Sequence, residues 1–395
     1  MTSTPELAFA AFDADNHYYE AEDAFIRYVD PKMRKRCMQW AEIDGRRRLL
    51  VGGKVNRFIP NPTFDPVARP GCLDDYFRGN VAKADMREAF GELVPIPSEY
   101  RDRDARLQVM DAQNLGACFL FPTLGVGMET ALESDPTAML AAFDGFNRWV
   151  QDDWGFAYQD RLFAAGYVSL SDIDWAIDQL EWMIDHDVRV INMRPSSVVG
   201  RDGRRRSLGD PSHEPFWARL NESGVTLAMH AGDSGYEFLS DYWGLNSEFE
   251  AFRQNAFKSL LTNSPVSDAL SSLIAEGVLS RHRNIRVATI ETGSDWVPAL
   301  LKKFDKVFRQ QRHAFAEDPA EVFARQVWVA PYYEDDLHGL RNKIGPDHIL
   351  FGSDWPHAEG LAEPVDFVND LGGFSDSDIE KIMRTNGLAL TDRNY

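Results

Sequence analysis

Short apolar runs recur along this chain, and most are separated by segments whose apolar residues follow helical spacing. Eight runs have the character of buried parallel strands, at residues 7–13, 117–122, 163–170, 189–194, 225–231, 285–292, 327–333 and 349–354. Helical spacing predicts helices over 102–115, 135–152, 171–187, 266–280, 298–311 and 375–390. This alternation predicts an α/β fold, a (β/α)8 TIM-like barrel. A doubly wound open sheet is the alternative, but we find no glycine-rich nucleotide fingerprint to support it.

Two segments are longer than a minimal barrel requires. They cover residues 18–100 and about 233–265, and each follows the C-terminal end of a predicted strand. Because barrels of this class carry their active sites at that end, we expect both insertions to cover the site. We treat residues 1–395 as a single barrel domain with these insertions. The alternative is that the first insertion only packs on the barrel wall.

Charge and cysteine content limit the classes of partner and the cellular compartment that we expect. The net charge of -20 opposes binding to nucleic acids and to anionic membranes. No apolar stretch approaches the roughly 20 residues that span a bilayer, and no basic segment with an apolar core opens the chain. Three widely spaced cysteines, Cys37, Cys72 and Cys118, fit a reducing compartment. We therefore expect a cytoplasmic protein that acts on a small hydrophobic molecule, with self-association into a homo-oligomer left open.

Side chains that bind metals stand at the ends of four predicted strands. Asp15 and His17 follow the first strand and, being two residues apart, project from one face. His230, Glu291 and Asp354 end three later strands. Carboxylates and imidazoles without thiolates suit iron, manganese or zinc. The sequence therefore predicts a divalent-metal site at the barrel mouth. Taken alone, His230 would more often be an ordinary core histidine, and Asp354 could simply cap the next helix.

Three further residues are candidates for catalysis. Glu291 could bind metal, bridge two metals, move protons or pair with Arg194. His357, three residues after Asp354, could act as a ligand, a general acid or base, or a hydrogen-bond partner of a ligand. Arg194 could hold a substrate carboxylate, or it could form a structural ion pair. The arginine runs 46–48 and 204–206 could bind a phosphate-bearing substrate, although solvated surface loops are the commoner explanation.

The motifs Asp15-Asn16-His17, Met229-His230-Ala231-Gly232 and Gly352-Ser353-Asp354-Trp355-Pro356-His357 resemble the amidohydrolase-related family. The similar branch includes the aminocarboxymuconate-semialdehyde and resorcylate decarboxylases. The resemblance implies that Asp15, His17, His230 and Asp354 bind a metal. Family decarboxylases typically have a catalytic histidine where this chain has Glu291. The superfamily also includes a non-heme di-iron monooxygenase, which this chain resembles in its added carboxylate.

Two enzymatic hypotheses follow, and a metal-free binding scaffold is a third. The preferred hypothesis is a non-heme iron monooxygenase that hydroxylates a bulky hydrophobic substrate. It would use one or two iron ions, with Glu291 as the bridge if two bind. The alternative hypothesis is a hydrolase or non-oxidative decarboxylase that uses a divalent metal such as zinc or manganese. We expect no organic cofactor.

Overall fold

The computed structural model describes residues 7–59, 61–80, 90–246, 255–261 and 264–394. Its strands are β1 (Ala11–Tyr18), β2 (Met38–Ile43), β3 (Arg46–Val51), β4 (Lys54–Val55), β5 (Leu115–Pro122), β6 (Leu162–Ala164), β7 (Gly166–Tyr167), β8 (Val190–Asn192), β9 (Val198–Val199), β10 (Arg205–Arg206), β11 (Thr226–His230), β12 (Val287–Ile290) and β13 (Val327–Val329).

The α-helices of the described residues surround these strands. They are Asp74–Phe77, Arg103–Ala112, Met128–Leu132, Pro136–Asp153, Ile173–Asp185, Glu214–Ser223, Phe238–Tyr242, Ala256–Leu260, Pro265–Ala275, Val278–Arg281, Trp296–Gln310, Pro319–Gln326, Leu337–Ile344, Asp376–Glu380 and Asn386–Thr391. All six predicted helices are present. The sequence analysis did not identify the helices Glu214–Ser223, Pro319–Gln326 and Leu337–Ile344. None of the described helices has the length and apolar character to cross a bilayer.

Parallel pairing closes the strands into a barrel. One arc runs β1-β5-β6, and the other runs β7-β8-β11-β12-β13. Ala165 alone separates β6 from β7, and its amide donates to Leu120. At the opposite junction, Ile349 bridges to Val329 and Trp355 bridges to Asn16. Residues 349–355 therefore complete the barrel as an eighth, irregular segment, and the predicted TIM-like fold is confirmed.

The first strand differs from its predicted position. β1 spans Ala11–Tyr18 rather than 7–13, so Asp15 and His17 lie within its last residues and not beyond its end. The pairing with β5 shifts between Asp13 and Asn16, which leaves an extra residue on β1. Such a bulge redirects side chains locally. The strand continues from the apolar run into the polar residues Asp15, Asn16 and His17, all of which are buried.

The first insertion packs against the barrel mouth. Its β2, β3 and β4 form an antiparallel sheet. Further along, the amides of Gly71 and Leu73 donate to the carbonyls of His357 (3.1 Å) and Ala358 (2.8 Å). Arg101 joins the middle of the insertion to its start, just after β1, by donating to the carbonyls of Thr63 (2.8 Å) and Glu20 (3.0 Å). The insertion therefore covers the C-terminal face of the barrel.

Candidate metal centre

The side chains of Asp15, His17 and His230 converge at the C-terminal ends of β1 and β11. The Nε2 atoms of His17 and His230 are 3.1 Å apart. Asp15 Oδ1 lies 3.3 Å from each of these nitrogens. All three residues are buried. All the parallel strands of a barrel end at the same face, which brings together residues more than 200 positions apart in sequence.

Glu291 and Asp354 complete the cluster from two other segments. Glu291 Oε2 lies 3.3 Å from His230 Nε2, and Asp354 Oδ1 lies 3.3 Å from His17 Nε2. Both residues have left-handed backbone, with φ of 53° and 55°. That conformation is uncommon outside glycine and stores strain of about 1–3 kcal/mol per residue. Tyr332 holds Glu291 in place by donating its hydroxyl to the Glu291 carbonyl (2.7 Å).

The hydrogen bonds of the two ligand histidines suit a shared cation. Nδ1 of His17 donates to the carbonyl of Pro122 (3.3 Å), and Nδ1 of His230 donates to that of Ala231 (2.6 Å). In neutral rings, both Nε2 atoms therefore carry lone pairs that face each other. Asp15 Oδ1 is buried beside them without a hydrogen-bond donor. A divalent cation satisfies all three atoms, because metal-bound histidines usually donate their other nitrogen to a carbonyl.

Ligand atoms form three overlapping groups within the described residues. In each group the atoms lie within 4.8 Å of one another. The groups are Asp15, His17, His230 and Glu291; His17, Asp354 and His357; and Glu291, Asp354 and Glu359. Sequence reasoning did not identify Glu359. Glu359 lies in the loop after the eighth barrel segment, and the sequence of that loop has neither helical nor strand periodicity.

Burial controls the ionisation of the cluster. It lowers the pKa of His17 to about 3, with a smaller contribution from His357. Burial raises the pKa of Glu291 well above its ordinary value, and repulsion from Asp354 adds to this effect. Burial also raises the pKa of Asp354 well above its ordinary value, and repulsion from Glu359 is the second cause. Crowded carboxylates in a buried site repel one another, and a bound cation would offset that repulsion.

His357 is held by Asp354 and Thr123. Its Nδ1 lies 2.6 Å from Asp354 Oδ1, and its Nε2 lies 2.9 Å from Thr123 Oγ1. The Thr123 hydroxyl donates to the Tyr18 carbonyl (2.9 Å), so its oxygen accepts the Nε2 proton of His357. The His357 ring also contacts the His17 ring, with centroids 4.1 Å apart.

Two buried charged residues that the sequence analysis missed support β1. Asp13 accepts hydrogen bonds from the Ser353 hydroxyl (2.6 Å) and amide (3.0 Å), which ties β1 to the eighth segment. Arg106 donates to Asn16 Oδ1 (2.5 Å) and to the His17 carbonyl (2.8 Å). The alternation of Asp13, Asp15 and His17 was the available signal for Asp13. A fully buried arginine has no comparable pattern in sequence.

Arg194 is not among the residues that the structure brings to the cluster. Its guanidinium donates to Glu133 Oε2 (2.9 Å), Thr130 Oγ1 (2.7 Å) and the Ser197 carbonyl (3.0 Å). It lines a small cavity of about 10 Å³ behind His230 instead of the main cavity. The ion pair that we considered with Glu291 is replaced by one with Glu133, so we no longer propose Arg194 as a substrate ligand.

A cavity of about 1550 Å³ opens above the cluster. Asp15, His17, His230, Glu291, Asp354 and His357 form part of its lining. The first insertion supplies an opposite wall of Phe58, Ile59, Phe64, Val67, Phe77 and Leu93. From the second insertion, Ser259 is the contributor within the described residues. Apolar walls around a small polar centre are typical of small-molecule sites.

Comparison with known proteins gives a consistent family. The family model described as amidohydrolase matches residues 65–390. A solved amidohydrolase from Mycobacterium avium subsp. paratuberculosis K-10 is 42% identical, with a TM-score of 0.93 over 98% of this chain and 99% of that one. A gamma-resorcylate decarboxylase from Rhizobium sp. (strain MTP-10005) is 22% identical over 58% of this chain and 70% of its own length.

A more distant structure shares the fold and carries a metal. It is a dihydroxybenzoic acid decarboxylase from Polaromonas sp. JS666, with bound manganese and the inhibitor 2-nitroresorcinol. It is 15% identical, with a TM-score of 0.60 over 98% of each chain. These relatives give no support to our preference for iron and monooxygenation. Two of these three relatives are named as decarboxylases, and the 42% identical one is named as an amidohydrolase.

Proposed function

Since the chain belongs to the amidohydrolase family, we propose that this metal-dependent enzyme is a non-oxidative decarboxylase of a bulky, largely apolar organic acid. The convergence of Asp15, His17, His230 and Asp354 below the large cavity carries this proposal. The decarboxylases among the relatives support the reaction class. Manganese or zinc suits these oxygen and nitrogen ligands, and iron stays an alternative.

Each residue of the cluster has a proposed role. Asp15, His17, His230 and Asp354 would hold one divalent metal. When bound, the metal would act as a Lewis acid toward an oxygen of the substrate. The apolar wall from the first insertion would orient the substrate and exclude water from the reacting carbon.

Decarboxylation needs a proton donor for the carbon that loses the carboxyl group. The bond to that group breaks, carbon dioxide leaves, and the electron pair on the carbon takes up one proton. Glu291 is the proposed donor, because burial and repulsion from Asp354 raise the pKa of its carboxyl well above the ordinary value, which favours the protonated form. His357 is the alternative donor.

A direct test combines product detection with metal analysis. We expect carbon dioxide release from a panel of aromatic and alicyclic acids without oxygen, by protein with about one equivalent of divalent metal per chain. Asp354→Ala should lose the metal. Glu291→Gln should retain it and release carbon dioxide about 100-fold or more slowly. The matched control is Glu334→Gln, since Glu334 lines the cavity outside the ligand groups.

An oxygen-dependent reaction is the second candidate. The group formed by Glu291, Asp354 and Glu359 favours it, because carboxylates beside the first site could hold a second ion. Two equivalents of iron, with product oxygen derived from dioxygen, would establish this candidate and exclude decarboxylation. Hydrolysis by metal-activated water would appear instead as product oxygen derived from water.

A further inference from the structure

We propose that Arg48 binds a second anionic group of the substrate, at the end opposite the metal. The inference rests on the proposed function, because it assumes that an acid group of the same substrate reaches the metal centre. It defines the substrate class as elongated acids with an apolar body and a carboxylate or phosphate at the far end.

Arg48 lies on β3 of the first insertion, is half-buried and lines the cavity. Side chains alternate along a strand. Leu49 and Val51 are buried in the core on the other face of β3. Arg48 therefore extends away from that core and forms part of the cavity wall.

Arg48 has no protein partner within the described residues. No acceptor among them takes a hydrogen bond or ion pair from Arg48. Its neighbour Arg47 pairs with Glu22 (2.5 Å) and lies over the Trp40 ring (5.3 Å). A partly desolvated guanidinium without a counter-ion is an available site for a carboxylate or phosphate, which it can bind with two parallel hydrogen bonds.

Charges of opposite sign line different parts of the cavity. Among the described residues, the lining carboxylates belong to the barrel and its loops, namely Asp15, Glu291, Glu334, Asp354 and Glu359. Within the same part of the chain, the lining arginines Arg48 and Arg57 belong to the first insertion. Phe58, Phe64 and Phe77 also lie on the insertion wall. A molecule with an acid at each end and an apolar centre matches this distribution.

The size of the cavity agrees with such a molecule. Its volume of about 1550 Å³ exceeds the roughly 300–1,000 Å³ that encloses a drug-sized ligand. An acid with one aromatic ring would fill only a small part of this space.

The test measures binding of saturated acids to the manganese-loaded protein by calorimetry. Diacids from hexanedioic to hexadecanedioic acid are compared with the monoacids of equal length. We expect one range of lengths in which diacids bind about tenfold or more tightly than monoacids. An ω-phosphono acid of the best length distinguishes the two anions: tighter binding than the diacid indicates phosphate, and weaker binding indicates carboxylate.

Variants locate the distal site. Arg48→Met should abolish the diacid advantage and leave monoacid affinity unchanged, while Arg48→Lys should retain part of the advantage. The matched control Arg46→Met removes an exposed arginine of the same strand that is outside the cavity lining, so it should behave as wild type. Thermal unfolding of each variant checks that the fold is intact.

The outcomes separate this inference from the proposed function. Monoacid binding that depends on Asp354, without a diacid advantage at any length, overturns the role of Arg48 and leaves the metal site in place. A diacid advantage that Arg48→Met removes, in a protein that never releases carbon dioxide, keeps the distal site and overturns decarboxylation. If no saturated acid binds at any length, the role of Arg48 is wrong, and carbon dioxide release from the aromatic and alicyclic acids decides the proposed function separately.

Discussion

The two insertions leave the same face of the barrel but differ in how they pack. In the first, Leu73, Phe64 and Val67 are buried, and hydrogen bonds join its backbone to the loop that carries His357. In the described part of the second, Tyr242 is 84% exposed and Leu260 is 78% exposed. Within the described residues, the second insertion contributes only Ser259 to the cavity lining, so a start at the C-terminal end of a strand does not by itself make a segment a wall of the site. Backbone pairing and buried apolar contacts do.

The largest expected effect compares two glycines with left-handed backbone. A Cβ on Gly71 (φ 67°) would lie 2.4 Å from the Ala362 nitrogen, whereas a Cβ on Gly244 (φ 72°) meets nothing within 4 Å. We expect Gly71→Ala to lower the free energy of unfolding by about 3 kcal/mol and to reduce turnover. Gly244→Ala should cost about 1 kcal/mol, from the backbone alone, with turnover unchanged. Urea unfolding and carbon dioxide release measure both effects, and equal losses would remove the distinction between the insertions.

The next effect concerns the cations that join each insertion to its surroundings. Arg101 donates to three backbone carbonyls, those of Tyr19, Glu20 and Thr63. Arg101→Met leaves these acceptors without a charged donor, so we expect a loss of about 2 kcal/mol in unfolding free energy. The control, Lys258→Met, breaks a pair with Glu237 in the second insertion and should cost less than about 1 kcal/mol. Chemical unfolding curves decide this, and a larger loss for Lys258→Met would contradict the comparison.

The stability of the protein should depend on pH through Glu20, which lies at the start of the first insertion. Glu20 is buried and accepts the amides of Leu124 and Gly125, yet burial raises its pKa from 4.5 to about 7. A raised carboxyl pKa means that the folded state holds its proton more tightly than the unfolded state. Stability should therefore fall as the pH rises from about 4.5 to about 7, by up to about 3 kcal/mol from this residue. Glu20→Gln should lack this contribution, and the difference between the two unfolding profiles measures it. Parallel profiles would show that Glu20 ionises normally.

The smallest expected effect is at the surface of the second insertion. Tyr242→Ser replaces a largely exposed side chain, so unfolding free energy should change by less than about 0.5 kcal/mol. Carbon dioxide release should equal that of the wild type. A clear loss of turnover would show that this segment takes part in the site, and the contrast between the insertions would be wrong.

Much of the fold was predictable because it depends on local pattern. Apolar runs marked the barrel strands, and polar residues at their ends marked the cluster. The antiparallel sheet of the first insertion also had a signal that we did not use. Asp44-Gly45 lies between β2 and β3, and Asp-Gly is a preferred two-residue hairpin turn.

Other features depend on contacts between distant residues. The bulge in β1 is a feature of its pairing with β5, so the apolar run at residues 7–13 gave no indication of it. Arg194 lies at a strand end, as a substrate ligand would, but its partner Glu133 lies 61 positions away. Glu359 reaches the cluster only because its loop folds back over the barrel mouth. Sequence pattern identifies the residue types at such positions and leaves their pairing open.

The left-handed backbone of Glu291 and Asp354 limits how this centre can be redesigned. Asparagine and glycine accept that conformation readily, whereas β-branched residues do not. A library that varies these two positions should therefore be weighted toward Asn, Asp and Gly. Replacing either residue with Val or Thr would test backbone tolerance before it tested chemistry.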